Sequence, residues 1–232
     1  MKWIIGILIA AVIVTVSPVL ALRWVDPPTS AFILQYRLNA LWDKHSTGAV
    51  AYRWEDWRRI PPYAALAVVA AEDQKFPHHW GFDRQSIAEA WDQRRKGVRY
   101  RGASTITQQV AKNLFLWNGK NFVRKGIEAY FTVLIELTWS KRRILEVYLN
   151  IAEFGKGVYG IGAASRRYFH KPPRRLRRYE CALLATVLPS PKRMRLDRPS
   201  VYMIQRAVSI LDEMNRLDRI QQRPYLPKLY AR

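Results

Sequence analysis

Between Trp3 and Leu22 the chain runs for twenty residues without a charged side chain, and no other stretch constrains its folding as strongly. A helix rising about 1.5 Å per residue covers a ~30 Å hydrocarbon core in about that many residues. Residues 1–22 are therefore expected to form one N-terminal transmembrane helix. A cleaved signal peptide is the competing reading, because Val19-Leu20-Ala21 presents a small-residue cleavage pattern. The run is longer than an ordinary signal-peptide core and Pro18 falls late in it, so an uncleaved anchor is the expectation. Lys2 is the only charged side chain before the span, whereas Arg23, Arg37 and Lys44 follow it. Charge counting alone does not favour a cytoplasmic amino terminus.

The remainder of the 232 residues is enough for one anchored domain, or at most two small ones. A hydrophobic fraction of 49% with 12% aromatics predicts a folded chain rather than a disordered one. Lys and Arg outnumber Asp and Glu by 39 to 18, a formal charge of +21. That excess attracts nucleic acid, an anionic membrane surface or a phosphorylated substrate, and says nothing of fold. The lone Cys181 excludes an internal disulfide and, within an apolar run, reads as a small buried hydrophobe. The four histidines show neither HExxH nor zinc spacing.

Residues 23–60 read as a juxtamembrane segment with four tryptophans between 24 and 57, suited to the headgroup level. From 61 to 232 the pattern is helical. Pro61 and Pro62 fit a helix start before the apolar stretch Tyr63–Ala71. Further helices are predicted at roughly 84–97, 105–116, 122–139, 141–152, 158–169, 176–188 and 200–217. Alternating β-type runs are nearly absent, so the fold class is mainly α. The basic run Lys171–Arg178 reads as a solvated loop and helix start or, at a membrane, as a contact for lipid phosphate.

Four segments carry polar residues where a core helix would be apolar. Glu72 and Asp73 end the first hydrophobic helix, where partial desolvation would raise a carboxyl group towards the range of a general base. Phe76, His79, Gly81 and Asp83 follow. In the second segment Ser104 is a candidate N-cap. Thr105, Gln108, Gln109 and Lys112 then share one helical face, a stripe suited to a sugar or phosphate, with Asn113 beside it. The third holds Lys120, Arg124, Lys125 and Glu128, which read either as a surface ion pair or as a pyrophosphate site, direct or through a divalent ion. The fourth, 141–160, ends a helix in a glycine-rich turn.

In order, these segments resemble the peptidoglycan glycosyltransferases of family 51. The family comprises the monofunctional transglycosylases and the N-terminal domains of class A penicillin-binding proteins. Glu-Asp-x-x-Phe-x-x-His-x-Gly-x-Asp reads off 72–83, Gly-x-Ser-Thr-Ile-x-Gln-Gln-x-x-Lys-Asn off 102–113, and Arg-Lys-x-x-Glu off 124–128. Ile-Leu-Glu-x-Tyr-Leu-Asn and Phe-Gly-x-Gly lie within 144–157.

The resemblance implies a lysozyme-like helical glycosyltransferase domain that polymerises lipid II into linear glycan strands with inversion. Glu72 would be the general base, with Glu128, Lys112, Lys120 and Arg124 on the side of the undecaprenyl pyrophosphate leaving group. Asp73, Phe76, His79, Ser104, Thr105, Gln108, Gln109, Asn113 and Lys125 would shape the cleft or hold substrate. No organic cofactor is implied, and Mg or Mn is compatible with the pyrophosphate site. The implied partners are lipid II, the growing lipid-linked glycan, the membrane as a single-pass anchor, and proteins of cell division or cell-wall synthesis, but not nucleic acid. The implied location is the bacterial inner membrane, with the catalytic domain on the periplasmic side.

No Ser-x-x-Lys or Lys-Thr-Gly motif occurs, so the stand-alone type is expected. A lysozyme-like glycan-cleaving enzyme and a non-catalytic cell-wall scaffold are the alternatives, since fold alone does not fix reaction direction.

Overall fold

A computed structural model describes residues 2–42, 49–97, 104–119 and 121–220. Ten α-helices stand among the described residues: α1 (Lys2–Ala21), α2 (Ala31–Trp42), α3 (Pro62–Glu72), α4 (Arg84–Arg95), α5 (Ile106–Phe115), α6 (Phe122–Thr138), α7 (Lys141–Ile151), α8 (Gly160–Phe169), α9 (Arg178–Thr186) and α10 (Val201–Ile220).

The centre is α3. Pro62 sits in its first turn, where a missing N–H costs nothing. From Ala64 to Ala70 every side chain is buried, because the helix is apolar all round and can only lie inside. It packs against α7, α9 and α10, while α5 packs against α6 and α7. Cys181 lies in this core, and burial pushes its thiol up to about 12. The helices that carry the polar motifs are amphipathic and capped as side-chain chemistry directs. Asn121 accepts from the Arg124 N–H, and Ser140 from the Arg143 N–H.

Among the described residues a small sheet of order β1-β3-β2 departs from the helical expectation. β1 (Ala51–Tyr52) pairs in parallel with β3 (Val158–Tyr159), which pairs antiparallel with β2 (Glu153–Gly155). Residues 158–159, expected to open a helix, are strand instead. Gly160 then turns the chain at φ 80°, where a Cβ would collide with the Asn150 carbonyl oxygen. Upstream of α3, α2 packs on α5, β1 joins the sheet and Trp57 lies in the core.

α1 is a single helix of 20 residues. Counted on the described residues alone, no helix is long and apolar enough to cross a membrane. The C-terminal end of α1 is tied to the rest of the molecule. The Trp139 indole donates to the Val19 carbonyl at 2.7 Å. The Arg143 guanidinium donates to the carbonyls of Leu22 and Val25 and to the Asp26 carboxylate.

Candidate active site

Glu72 is the last residue of α3 and Asp73 is its C-cap, so the two carboxylates leave the core together and then part. Asp73 turns inward. His79 Nε2 approaches its two oxygens at 2.9 and 3.0 Å, and Oδ2 accepts the Ile106 N–H at 3.0 Å. Asp73 thereby fastens the start of α5 beside the end of α3. Thr105 completes the junction as the N-cap. Its hydroxyl donates to the Gly81 carbonyl at 2.6 Å and accepts from Gln108 N–H, and the Gln108 side chain returns a bond to the Thr105 N–H.

This is a correction to Ser104, which is exposed and does not cap the helix. A capping box needs Glu or Gln three residues on. Thr105 has Gln108 there, and Ser104 has Thr107.

One turn further along α5, Gln109 bridges two helices. Its Nε2 donates to Glu72 Oε2 at 2.9 Å, and its Oε1 accepts from the Tyr148 hydroxyl on α7 at 3.1 Å. Burial, with the Glu72 and Asp73 charges adding to it, raises the Tyr148 pKa well above its ordinary value. Its hydroxyl therefore stays protonated and able to donate. Lys112 follows a turn later. Burial lowers its pKa; Glu128 opposes this, Arg124 and Lys125 add to it, and Glu72 opposes it. Lys112 thus feels both the Glu72 carboxylate and the charged groups in the first turns of α6.

On α6, Arg124 donates to Glu128 Oε2 at 2.9 Å and Lys125 pairs with the other carboxylate oxygen. The expectation of a surface ion pair fails here, because Glu128 is only 3% exposed and Arg124 is buried with it. Arg124 Nε is buried without a hydrogen-bond partner among the described residues. Deeper in the same helix, Glu136 accepts from Thr107 at 2.5 Å and from Lys141 at 2.8 Å, locking α5, α6 and α7 together.

A cleft of about 360 Å³ opens beside this group. Gln109, Lys112, Asn113, Tyr148, Glu153 and Lys192 are among the residues that line it. Glu72, Gln109, Lys112, Arg124, Lys125 and Glu128 are thus brought into one neighbourhood. Asp73, Phe76, Thr105 and Gln108 are buried, and the His79 side chain on Asp73 is nearly so, so they leave little surface for direct contact. Lys120 lies outside the described residues. Sequence reasoning gave no role to Tyr148, Glu153 or Lys192. The polar tip of Tyr148 in an otherwise buried helix, and a carboxylate just before a glycine-rich turn, were the available signals.

On a helical scaffold, a carboxylate held by an amide thus shares a neighbourhood with cations grouped at the start of a helix. The chain belongs to the transglycosylase family: the family profile described as Transglycosylase matches residues 43–215. Among curated proteins it is similar to the biosynthetic peptidoglycan transglycosylase of Shewanella oneidensis, 45% identical over 94% of this chain and 92% of that protein. Proteins of the same name from Klebsiella oxytoca and Pseudomonas putida are 49% and 50% identical. The first match covers 93% of this chain and 90% of that protein, the second 86% and 84%.

Proposed function

We propose that this chain is a peptidoglycan glycosyltransferase that polymerises lipid II into linear strands, inverting the anomeric carbon and releasing undecaprenyl pyrophosphate. The observation that carries the reading is the Tyr148–Gln109–Glu72 hydrogen-bond chain, with a buried Lys112 that feels the charges of Glu72 on one hand and of Glu128, Arg124 and Lys125 on the other.

Glu72 is the general base. It takes the proton from the 4-hydroxyl of the incoming N-acetylglucosamine as that oxygen bonds to the anomeric carbon of the growing chain. The bond from that carbon to the pyrophosphate breaks, and its electron pair leaves on the phosphate oxygen. One displacement turns α into β. The leaving group needs no proton where fixed cations absorb its charge. Lys112, Lys125 and Arg124, with the unpartnered Nε, supply that field. Lys120 belongs to the same side by resemblance.

A divalent ion fits these residues poorly. Both Glu128 oxygens are taken by cations, and no group of three metal-ligating side chains gathers among the described residues. A glycan-cleaving activity would have no use for these cations, and the relatives are named for biosynthesis.

The reading places the enzyme in the cell envelope, anchored in the inner membrane by α1 with the cleft on the periplasmic side, among proteins of cell-wall synthesis or cell division. Support comes from the exposed apolar side chains of α1, including Trp3, Ile7 and Val14, and from the neighbouring outer face of α6, where Phe122 is 96% exposed and Leu137 68%.

The test is incubation of detergent-extracted protein with purified lipid II. A lysozyme-sensitive polymer is expected, and Glu72→Gln should polymerise at least about 10²-fold more slowly with its melting temperature unchanged. A Gln variant keeping more than a tenth of the parental rate would remove Glu72 from the role of base.

A further inference from the structure

Beyond the reaction cleft lies a second hollow of about 510 Å³, which shares Pro191 and Lys192 with it as a common wall. Lys156, Arg167, Lys192 and Arg195 line it, and its one carboxylate is Asp197. Arg195 already holds Asp197, at 2.6 and 3.2 Å. Among the described residues, no carboxylate lies within ion-pair distance of Lys156, Arg167 or Lys192. Asp197 being spent on Arg195, three cations of this concave face are left without an ion-pair partner among the described residues.

The presentation of Lys156 is also built. It stands on the β2–β3 turn between Gly155 and Gly157. A Cβ on Gly155 would meet the Tyr168 hydroxyl, and one on Gly157 would meet Tyr36 Oη at 2.9 Å. Two tyrosines therefore fill the space a side chain would need and hold the turn from both sides. Gly157 itself takes φ 72°, open to glycine. Lys156 is exposed on a fixed turn, and Arg167 faces the same hollow from α8.

We propose that this hollow is a subsite for the free carboxylates of the peptide branch carried by the substrate glycan. The inference rests on the function proposed above and deepens it. A peptidoglycan strand carries short peptides along its sugars, and their carboxylates are the anions that accompany the sugar through the cleft. With the sugar beside Glu153 and Lys192, a branch passing over Pro191 reaches Lys156 and Arg167. The subsite selects substrate by charge, acting on affinity and not on the chemical step.

The experiment compares two lipid-linked precursors, one with free peptide carboxylates and one with those carboxylates converted to amides. Parental full-length protein and a Lys156→Ala/Arg167→Ala variant are assayed in the same detergent. The parental protein should show a KM about tenfold lower for the carboxylate form, the scale of one charge-assisted hydrogen bond. The variant should lose that difference while keeping the parental kcat on the amidated form and its melting temperature.

Equal KM values in the parental protein, or a preference retained by the variant, would overturn the proposal. So would a variant that keeps the preference but binds anionic phospholipid vesicles less well, since the hollow would then serve lipid phosphate. If the parental protein polymerises neither precursor, the glycosyltransferase reading itself falls.

Discussion

Replacing Lys112 by Met should make the protein more stable and far less active. Glu128 has both oxygens committed to Arg124 and Lys125, and the Lys112 ammonium rests over the Phe32 ring at 5.5 Å. Its pKa is depressed, chiefly by burial. A lysine with a lowered folded pKa binds fewer protons folded than unfolded between the two values. Its charge therefore costs stability at neutral pH, and the cost fades as pH rises through the folded value towards 10.5. Methionine keeps the apolar stem and removes the charge. A gain of about 1 kcal/mol, or about 2–4 °C in melting temperature for a chain of this size, is expected at pH 7. Catalysis moves the other way. A unit charge about 4 Å from a leaving oxygen contributes up to about 4 kcal/mol at an effective dielectric of about 20. Solvent in an open cleft trims this towards about 3 kcal/mol, a rate loss of roughly 10²-fold. Melting curves at pH 7 and 9.5, with polymerisation rates on the same preparation, test both halves. A variant that melts lower and loses activity in step would make Lys112 structural. One that polymerises within fivefold of the parental rate would take it away from the phosphate.

Tyr148→Phe removes the hydroxyl that holds Gln109 against Glu72, and turnover should fall about five- to tenfold, the scale of one neutral hydrogen bond; steady-state kcat measures it. For Glu153, burial raises the pKa, with Lys192 and the Gly157 N–H opposing. A carboxyl raised on folding contributes stability below its unfolded value and loses it as pH climbs through the folded value. Glu153→Gln should therefore melt above the parental protein at pH 7 and level with it near pH 4, which calorimetry would read. Gly160→Ala should cost about 2–4 kcal/mol through both positive φ and collision with the Asn150 carbonyl, visible as a lower urea midpoint at constant slope.

How much of this was legible in the sequence depends on how far apart the interacting residues lie. The apolar stretch after Pro61-Pro62 specifies α3 and delivers Glu72 at its end, because helix start, burial and stop are local matters. The face shared by Gln109 and Lys112 is likewise a consequence of helical spacing. The bonds that give those residues meaning are not local. Gln109 meets Tyr148 from 39 residues away, and Ile106 meets Asp73 from 33. The Arg124–Glu128 pair has the spacing of any surface ion pair, and it is buried only in the fold, where other helices pack on α6. The strands are two or three residues long, too short for alternation to register. α2 went unrecognised within a segment read by its tryptophans.

The helix that presents the cations is also the helix that meets α1. Arg124 and Glu128 occupy the first two turns of α6. Further along, the Tyr130 hydroxyl pairs with Thr15 at 2.9 Å, and past its end Trp139 holds the Val19 carbonyl. Arg143, at the start of α7, then grips the chain as it leaves α1, while its other bond goes to Glu146, whose carboxylate accepts the Trp57 N–H. An anchor joined by a flexible linker would only raise the local concentration of substrate. One bonded along α6 does more, because it fixes the distance between the apolar helix and the charges in the first turns of α6. With α1 embedded as proposed, a pyrophosphate tethered to a lipid also sits at a fixed depth, so the same helix sets both coordinates. The buried Arg124–Glu128 pair then makes physical sense despite its desolvation cost: it holds a rigid donor array where a mobile surface arginine would have to be ordered at every turnover.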